Sequence, residues 1–503
     1  MHVRPNAVVW EACPFEHRRP EKNMIAAGIL FHLLTWSSAQ KEQLIYPSIV
    51  EERTTTTNLV LRLSDDITLN LEKSAVLADR LLFATATVNG HRLKTIDTTP
   101  IQENIYHDIR QQSSVRVLHE NGRVEVEGII NDRLRIKPLP EAERSSQGQM
   151  LHSLYEVEEI KEDPEKMAFV TRKSVHRVLR RKRQLRHTAR PAGKTNHDNF
   201  IVELHVISDS AHHESFSTEE ELIAYLAVIT NAVNLRFLDM QYPAITFRLV
   251  GVTRSLDDPF ESHIVGTIDA YETLEGLANY YQKGKVPGNP DLVYLITNRN
   301  LASISKEGYV NKNVAGLAYI GGVCTHQRVG EGEDIARSYD GAHTMAHELA
   351  HLLGAQHDPK NKSECSWSHG FLLSYEDGGS RKYHLSNCSM RQIREVVRNR
   401  PFNCIEESPR TKYYMERFKK FPGQKIVENY YCRLILKNYG YGREVYSLKP
   451  AELSQKCKMR CYYLNRTLTY YREVDMLDGM LCDDTNRCKR GICGNHTWPQ
   501  RNT

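Results

Sequence analysis

The 503-residue chain lacks three features that would point to other classes of protein. It has no uncharged apolar run of the roughly 18 residues that a membrane-spanning helix needs. It has no RGD tripeptide, which argues against an adhesion protein that binds through that motif. It has no cysteine between residues 40 and 323, so disulfides cannot stabilise that stretch internally. The hydrophobic content of 40% and the mean hydropathy of −0.53 indicate a soluble, folded protein.

Acidic residues are absent from residues 171–190, which hold nine lysines and arginines. Without these nine positive charges the net charge of +5 becomes −4, so no basic surface for nucleic acid is indicated. Residues 180–183 read Arg-Arg-Lys-Arg, the R-x-K/R-R pattern that furin-like proteases cut. Basic tetrads also arise by chance or as nuclear signals, but this one lies between two regions with different patterns. We expect cleavage after Arg183.

The start of the chain contains a short apolar segment that is typical of an export signal. Residues 24–39 begin with methionine, continue with an apolar run at 25–35 and end in Ser-Ser-Ala. A buried core helix is the alternative, but the segment is too short and has the wrong flanks. We therefore expect a signal peptide at 24–39, an upstream extension at 1–23, and a secreted, extracellular protein.

The cysteines are concentrated near the C-terminus. Cys13 lies in the leader, and the other ten are Cys324, Cys365, Cys388, Cys404, Cys432, Cys457, Cys461, Cys482, Cys488 and Cys493. An even number in an exported chain implies up to five disulfides, whereas reduced core thiols are the alternative. Four sequons are compatible with glycosylation, at Asn361, Asn387, Asn465 and Asn495.

The apolar pattern changes along the chain and suggests three folded parts. Residues 40–183 contain near-period-two segments typical of β-strands, such as Leu59–Leu71 and Arg123–Ile130. From Phe200 strand-like and helix-like segments alternate, with strands at 201–207, 245–252, 291–297 and 314–320, and helices at 218–238, 271–281 and from about 341. We expect a β-rich domain at 40–183, an α/β (α+β) domain at 184–408 and a small disulfide-rich module at 409–503.

The segment from His347 to Asp358 contains the pattern H-E-x-x-H-x-x-G-x-x-H-D in full, which fixes six of twelve positions. On a helix, His347 and His351 lie one turn apart and face the same way. Gly354 permits a sharp turn that returns His357 as a third ligand. Three imidazoles bind zinc at about 2.0–2.1 Å and leave a fourth position open, as catalytic zinc sites do.

Glu348 follows the first of these histidines and is the expected general base. Zinc lowers the pKa of a water ligand to about 7, and Glu348 can take its proton and pass it to the leaving amine. A set of structural histidines is the alternative, and the length of the pattern disfavours it. His212, His213 and His343 lie outside the pattern, and we expect them to be ordinary polar residues.

At these residues the sequence resembles the reprolysin (adamalysin, M12B) branch of the metzincin zinc metalloproteases, in which aspartate, here Asp358, follows the third histidine. The segment Gly316–Cys324, GLAYIGGVC, is also typical of that branch. From Leu44 onward the chain resembles the salivary metalloproteases of ticks. Residues 478–493 are similar to the cysteine-rich run of ADAMTS-type enzymes.

The resemblance implies a metalloendopeptidase, with residues 40–183 as its pro-domain and residues 184–408 as a catalytic domain that has a mixed five-stranded sheet and an active-site helix. An extended protein substrate would pair with the edge strand Gly316–Ile320. The salivary relatives suggest host matrix or clotting proteins as substrates. The implied disulfides are Cys324–Cys404 and Cys365–Cys388.

The resemblance also implies a structural calcium ion. The matching positions are Glu203, Asp291, the carbonyl of Cys404 and Glu407. Oxygen ligands suit calcium, although acidic residues are also common on surfaces without one.

The sequence departs from the family pattern in two ways. Leu373 stands where the family has the methionine of the turn beneath the zinc. Many relatives are kept inactive by a pro-domain cysteine that binds the zinc, and no cysteine lies in 40–183.

A non-catalytic secreted binder that keeps the fold is the alternative function. Loss of Glu348 or of a histidine would favour that alternative, and all four residues are present.

Overall fold

The structure is a computed structural model, and it describes residues 42–50, 58–87, 90–120, 123–157, 198–264, 266–304, 309–360, 364–405, 422–424, 426–436, 444–465, 468–489 and 491–496. The expected signal peptide and the basic tetrad at 180–183 lie outside these residues. Within the described ranges, no helix combines the length and the apolar character needed to cross a membrane.

Residues 42–157 are mainly antiparallel β structure. Their described elements are β1 (Glu42–Ile45), β2 (Ser48–Ile49), β3 (Asn58–Arg62), β4 (Thr68–Lys73), β5 (Leu77–Thr87), β6 (Gly90–Asp97), α1 (Thr99–Gln102), β7 (Ile105–Asp108), β8 (Ser113–Glu120), β9 (Arg123–Ile129), β10 (Leu134–Pro138) and β11 (His152–Glu156). The stretch Leu59–Leu71, which reads as one strand, is a hairpin of β3 and β4. The chain reverses there because the amide of Leu63 donates to the carbonyl of Ile67 at 3.0 Å.

Nine of these strands form one sheet in the order β1-β11-β10-β9-β8-β7-β4-β3-β2. The two edge strands are joined by only Tyr46 and Pro47, and two residues span roughly 7 Å. The edges therefore lie close together, and the sheet curls toward a closed barrel. A cluster of buried side chains belongs to this sheet, among them Leu61, Leu69, Leu71, Val115, Val126 and Ile136.

Residues 198–405 alternate strands and helices, as the sequence indicates. The elements are β12 (Asn199–Ser208), α2 (Ser210–His213), α3 (Glu219–Arg236), β13 (Ala244–Ser255), β14 (His263–Ile264), β15 (Thr267–Asp269), α4 (Ala270–Gln282), β16 (Leu292–Thr297), β17 (Leu301–Ile304), β18 (Val310–Val314), β19 (Gly316–Ala318), β20 (Val329–Glu333), α5 (Ala342–Leu353), α6 (Asn387–Arg398) and α7 (Phe402–Ile405). Strands β14, β15, β17 and β18 form a small separate sheet.

The main sheet of this region has seven strands, in the order β19-β20-β16-β12-β13-β5-β6. Residues 199–333 contribute five of these strands, the number expected for that region, and β5 and β6 from residues 77–97 extend the sheet to seven. Strand β5 pairs in parallel with β13, whose outer edge would otherwise leave backbone N–H and C=O groups unpaired. Strand β19 is the opposite edge and pairs antiparallel with β20, at the place expected for an edge strand.

The sheet is covered by helices on both faces. Along β16, Leu292, Tyr294 and Ile296 belong to the core cluster that contains α3 and α5, whereas Val293 and Leu295 belong to the cluster that contains α4. Helix α3 is buried along most of its length, and a helix that is apolar on all sides is one enclosed by protein.

The C-terminal residues form a small disulfide-rich unit. Its elements are a 3-10 turn (Pro422–Gln424), α8 (Glu428–Ile435), β21 (Val445–Leu448), α9 (Ala451–Ser454), β22 (Lys458–Asn465), β23 (Leu468–Asp475), β24 (Arg487–Lys489) and β25 (Ile492–Gly494). Strands β21–β23 form one sheet, and β24 and β25 form a hairpin. Cysteine sulfurs supply much of the core, through bonds Cys432–Cys461, Cys457–Cys488 and Cys482–Cys493.

Two further disulfides lie in residues 198–405. They join Cys324 to Cys404 and Cys365 to Cys388, the same pairs that the resemblance implies. The first ties the loop after β19 to α7, and the second ties the segment after the histidine pattern to α6.

Candidate metal centre

Helix α5 presents two histidines on one side and apolar residues on the other. Met345, Leu349 and Leu352 are no more than 1% exposed and belong to the main core cluster. His347 and His351 lie one turn apart and are 5% and 3% exposed. The helix therefore holds both imidazoles in a largely dry environment.

The helix ends at Leu353, and Gly354 makes the turn that follows. Gly354 has φ of 114°, a left-handed conformation that side chains resist. A Cβ added there would also lie 2.3 Å from the Val396 side chain of α6. Only glycine satisfies both conditions, so the chain can reverse against α6 and return with His357.

The three histidines predicted from the sequence converge on one point. The Nε2 atoms of His347 and His357 are 2.9 Å apart, those of His347 and His351 are 3.1 Å apart, and those of His351 and His357 are 3.2 Å apart. Two nitrogens that share one tetrahedral ion with bonds of about 2.0–2.1 Å lie roughly 3.3 Å apart. The spacing therefore fits a zinc ion held by all three.

The outward-facing nitrogens fix which ring atom carries the hydrogen. His347 Nδ1 is 2.9 Å from the carbonyl of Leu372, and His351 Nδ1 is 2.9 Å from the carbonyl of Ala355. A carbonyl can only accept, so each Nδ1 is the donor and each neutral ring directs an Nε2 lone pair inward. Lone pairs this close repel one another, and a cation between them removes the repulsion.

Burial keeps the three rings in the neutral form that metal binding needs. It lowers the pKa of His351 to about 4 and lowers the pKa values of His347 and His357 well below their usual range. The neighbouring imidazoles lower the pKa values of His347 and His357 further. At neutral pH no proton has to be displaced before a metal ion binds.

Tyr375 is a residue of this site that the sequence did not single out. Its hydroxyl is 2.5 Å from Nδ1 of His357, the counterpart of the carbonyls that hold the other two rings. Its ring also lies against His357, with centroids 4.6 Å apart. Its position two residues after Leu373, in the turn beneath the histidines, was the available signal.

Leu373 occupies its place in this turn without disturbing the site. It is fully buried, and its carbonyl accepts from the amide of Asp358 at 3.0 Å. The Asp358 carboxylate accepts the hydroxyl of Ser386 at 2.6 Å, which links the turn to α6. Leucine and methionine have similar volumes, so the exchange keeps the apolar floor under the histidines.

Glu348 belongs to α5, and its side chain lies on the side of the helix that faces the edge strand β19. It is 3% exposed, and a Cβ added to Gly316 would lie 2.8 Å from its Cγ. Glycine at 316 therefore allows the strand to run directly against the carboxylate-bearing side of the helix. The residue expected to act as base is next to the strand expected to bind substrate.

A buried carboxylate anchors the start of α5. Asp334 accepts from the amide of Gly341 at 2.9 Å, from the hydroxyl of Tyr225 at 2.6 Å and from Nε2 of His212 at 3.0 Å. The expectation that His212 and His213 are ordinary polar residues is wrong, because both are buried and His212 belongs to this network. His343 is partly exposed and lies on α5 outside the triad.

Asp340 lies in the same loop, close to this anchor. Burial and the nearby charge of Asp334 raise the pKa of Asp340 to about 7. The carboxylate of Asp340 accepts from the amide of Ile335 at 2.8 Å. The loop that leads into α5 therefore contains a buried acid that titrates near neutral pH.

The expected calcium positions are partly described. The Asp291 carboxylate accepts from the amide of Glu203 at 2.9 Å, and a carboxylate oxygen of Asp291 lies within 4.8 Å of the sulfurs of Cys324 and Cys404. Burial raises the pKa of Asp291 to about 7, against the hydrogen bond from the Glu203 amide, which lowers it; the charge of Glu203 adds to the rise. Glu407 lies outside the described residues.

The sequence is similar to those of known metalloproteases. Residues 200–409 match the family described as "Reprolysin (M12B) family zinc metalloprotease". Venom metalloproteinase BumaMPs1 of Olivierus martensii is 27% identical over 379 residues, which cover 73% of this chain and 93% of that protein. Venom metalloproteinase antarease TserMP_A of Tityus serrulatus is 24% identical over 402 residues, which cover 75% of this chain and 96% of that protein. Among solved structures, metalloproteinase-II from Bacteroides fragilis matches with a TM-score of 0.31 and 16% sequence identity. The match covers 71% of this chain and 92% of that protein.

We expect Tyr375→Phe to weaken zinc binding by about 10–100-fold, the usual effect of removing a hydrogen-bond partner from a ligating histidine. Competition with a chromogenic chelator measures the affinity. Tyr431→Phe is the control, because it removes a hydroxyl that donates to Asp475 in the C-terminal unit. Equal zinc affinity for Tyr375→Phe and wild type would show that the hydroxyl does not hold His357.

We expect Asp340→Asn to flatten the dependence of thermal stability on pH. Because the folded pKa of about 7 exceeds the usual value for aspartate, the protonated carboxyl contributes stability that is complete below about pH 4 and is lost as the pH rises through 7. An asparagine at this position carries no charge at any pH, so it does not lose this contribution.

The variant should therefore have a higher midpoint temperature than wild type at pH 8 and a similar one at pH 5. Thermal unfolding at both values measures the difference, with the exposed residue changed in Asp484→Asn as the control. A midpoint for Asp340→Asn that falls with pH as steeply as that of wild type would show that the titration of Asp340 does not set this pH dependence.

Proposed function

We propose that this chain is a reprolysin-type metalloendopeptidase in which His347, His351 and His357 hold the zinc ion and Glu348 is the general base. The observation that supports this assignment best is the convergence of three Nε2 atoms within 3.2 Å of one another. Two of the three rings must direct lone pairs into that space, because their Nδ1 atoms face carbonyl oxygens.

The protein supplies the proton transfers and the positioning. A bound zinc ion would supply Lewis acidity that activates a water molecule and polarises the scissile carbonyl. Glu348 takes a proton from the attacking water at its carboxylate and delivers it to the nitrogen of the leaving amine. Its low exposure, 3%, keeps that carboxylate away from bulk water.

We propose that an extended substrate segment adds to the edge strand β19. Among the described strands it pairs only with β20, so its outer N–H and C=O groups can pair with a peptide backbone. Gly316 brings this strand next to Glu348, which would place a peptide bond near the histidines.

The proposed substrates are extracellular proteins, including host matrix or clotting proteins. The relatives are named venom metalloproteinases, and the chain carries five disulfides in its described residues, which suit an oxidising compartment. We also propose a signal peptide at 24–39 and a structural calcium at Glu203, Asp291, the Cys404 carbonyl and Glu407. The raised pKa of Asp291 supports the calcium, since a cation would stabilise its charge.

Maturation is proposed to involve one cut, after Arg183, by a furin-like protease. It would divide the chain into residues 40–183 and residues 184–503, with the catalytic part at 184–408 and the cysteine-rich part at 409–503. The basic tetrad supports this step.

We expect Glu348→Ala to lose about 10²–10⁴-fold in proteolytic rate while keeping its zinc, because the three ligands remain and the base is removed. The full chain should be secreted, cut at the basic tetrad and incubated with gelatin, fibrinogen and fibronectin. Wild type should cut at least one of them, and a chelator should stop the cutting.

Glu214→Ala is the matched control, since Glu214 is exposed and outside the site. It should cut as wild type does. Equal cutting by Glu348→Ala and wild type would assign the activity to a contaminant or another site. Tight binding of a partner by both, with no cutting of a broad protein panel, would favour the non-catalytic binder.

We expect Arg183→Ala to prevent processing, because furin-like proteases require arginine before the cut. N-terminal sequencing of protein secreted by animal cells should find a chain beginning at Gln184 for wild type and none for the variant. The same uncut N-terminus in both would refute cleavage at this position.

A further inference from the structure

We propose that residues 42–156 are a permanent structural part of the catalytic unit, so that a chain cut between residues 158 and 197 stays together as two non-covalently joined fragments. This inference goes beyond the proposed function, and it does not depend on which residue is cut. It assigns an interaction surface, formed by β13 and α3, and its partner, the N-terminal region of the same chain.

The first part of this surface is the backbone edge of β13. Strand β5 pairs with it in parallel, from Leu82 opposite Gly251 to Ala86 opposite Ser255. The pairing extends beyond the strand ends, where Leu249 N–H donates to Val76 and Leu256 N–H donates to Ala86. Strand β6 then pairs with the outer side of β5 along eight residues.

The second part is the apolar core that lies over the sheet. Leu77, Leu81 and Phe83 are at most 1% exposed and belong to the same cluster as Val252 and helix α3. Ile101, Ile105 and Ile129 of the N-terminal region belong to it as well. A core shared in this way is typical of a single domain rather than of two domains in transient contact.

The third part is the far side of α3, which faces strands β7–β9. The Ser114 hydroxyl donates to the carbonyl of Val228 at 2.7 Å and accepts from the Asn231 amide at 2.9 Å. Both polar side chains are buried, at 0% and 4% exposure. Gly128 lies so close to this helix that an added Cβ would be 3.3 Å from the Val228 side chain.

Departure of the N-terminal region would expose all three parts together. Strand β13 would become an unpaired edge, and an exposed edge strand with apolar neighbours promotes aggregation. Ser114 and Asn231 would lose their mutual hydrogen bond but could form hydrogen bonds with water instead. Leu77, Leu81 and Phe83 would lose apolar contacts that water cannot replace. The association therefore depends on burial more than on charge, and salt should affect it little.

Retention of this region is compatible with an accessible substrate edge. Four strands, β20, β16, β12 and β13, lie between β19 and β5 in the sheet. The described hydrogen-bond partners of the three histidines come from residues 347–375. A detachable inhibitory pro-domain is the opposing interpretation, and the experiment separates the two.

The test uses the full chain with Glu348→Ala, so that self-digestion does not contribute and the result is independent of activity. A recognition site for a sequence-specific protease replaces residues 180–183, and the protein is cut to completion. Size-exclusion chromatography with light scattering, in buffers with low salt and with 1 M salt, then follows the two fragments. We expect them to elute together at the mass of the uncut chain in both buffers.

Separate elution of the two fragments in native buffer, with a folded monomeric C-terminal fragment, would overturn the proposal. Phe83→Ala supplies an independent measurement on the cut protein. It should raise the apparent dissociation constant of the fragments by about a hundredfold or more, the usual consequence of deleting a buried phenyl ring. Leu93→Ala is the control, because Leu93 lies on β6 in the same fragment and is 55% exposed. An equal dissociation constant for both variants would also contradict the proposal.

Discussion

Three imidazole nitrogens lie 2.9 to 3.2 Å apart, and at least two of them carry no hydrogen; the surrounding structure maintains this arrangement. Such close lone pairs repel unless a cation lies between them. The chain nevertheless fixes each ring from outside, by the carbonyls of Leu372 and Ala355 and by the hydroxyl of Tyr375. Gly354 allows the reversal that brings the third ring back, and burial keeps the rings neutral.

This arrangement depends on supports that extend well beyond the motif. Asp334 holds the first turn of α5 and is itself held by Tyr225 of α3 and by His212 of α2. Helix α3 is enclosed between the seven-stranded sheet and the β-rich N-terminal region. The position of the histidines is thus coupled through packed elements to residues far earlier in the chain.

The zinc ligands and the general base were predictable from the sequence because one continuous segment contains them. The residues that hold this segment in place were not predictable. His347, His351, His357 and Glu348 follow from residue spacing on a helix and one glycine turn. Asp334 brings no spacing signal, since His212 lies 122 residues away, and the one signal for Tyr375 was its place in the turn beneath the histidines. The boundaries of strands in 199–333 were close, but nothing in the pattern of Leu77–Thr87 shows that it pairs with β13 rather than with its neighbours β4 and β7. Parallel pairing between distant segments is a tertiary property, and period-two alternation is the same for either partner.

The most direct test of this account is zinc K-edge X-ray absorption on the purified full-length protein, with metal content measured on the same sample. We predict about one zinc per chain, with a first shell of nitrogen and oxygen at about 2.0–2.1 Å that includes three imidazoles. His351→Ala should lose one imidazole from that shell and most of the bound metal. A wild-type protein that binds no zinc at neutral pH, or whose zinc has sulfur ligands or an unchanged shell in His351→Ala, would contradict the assignment of the three histidines.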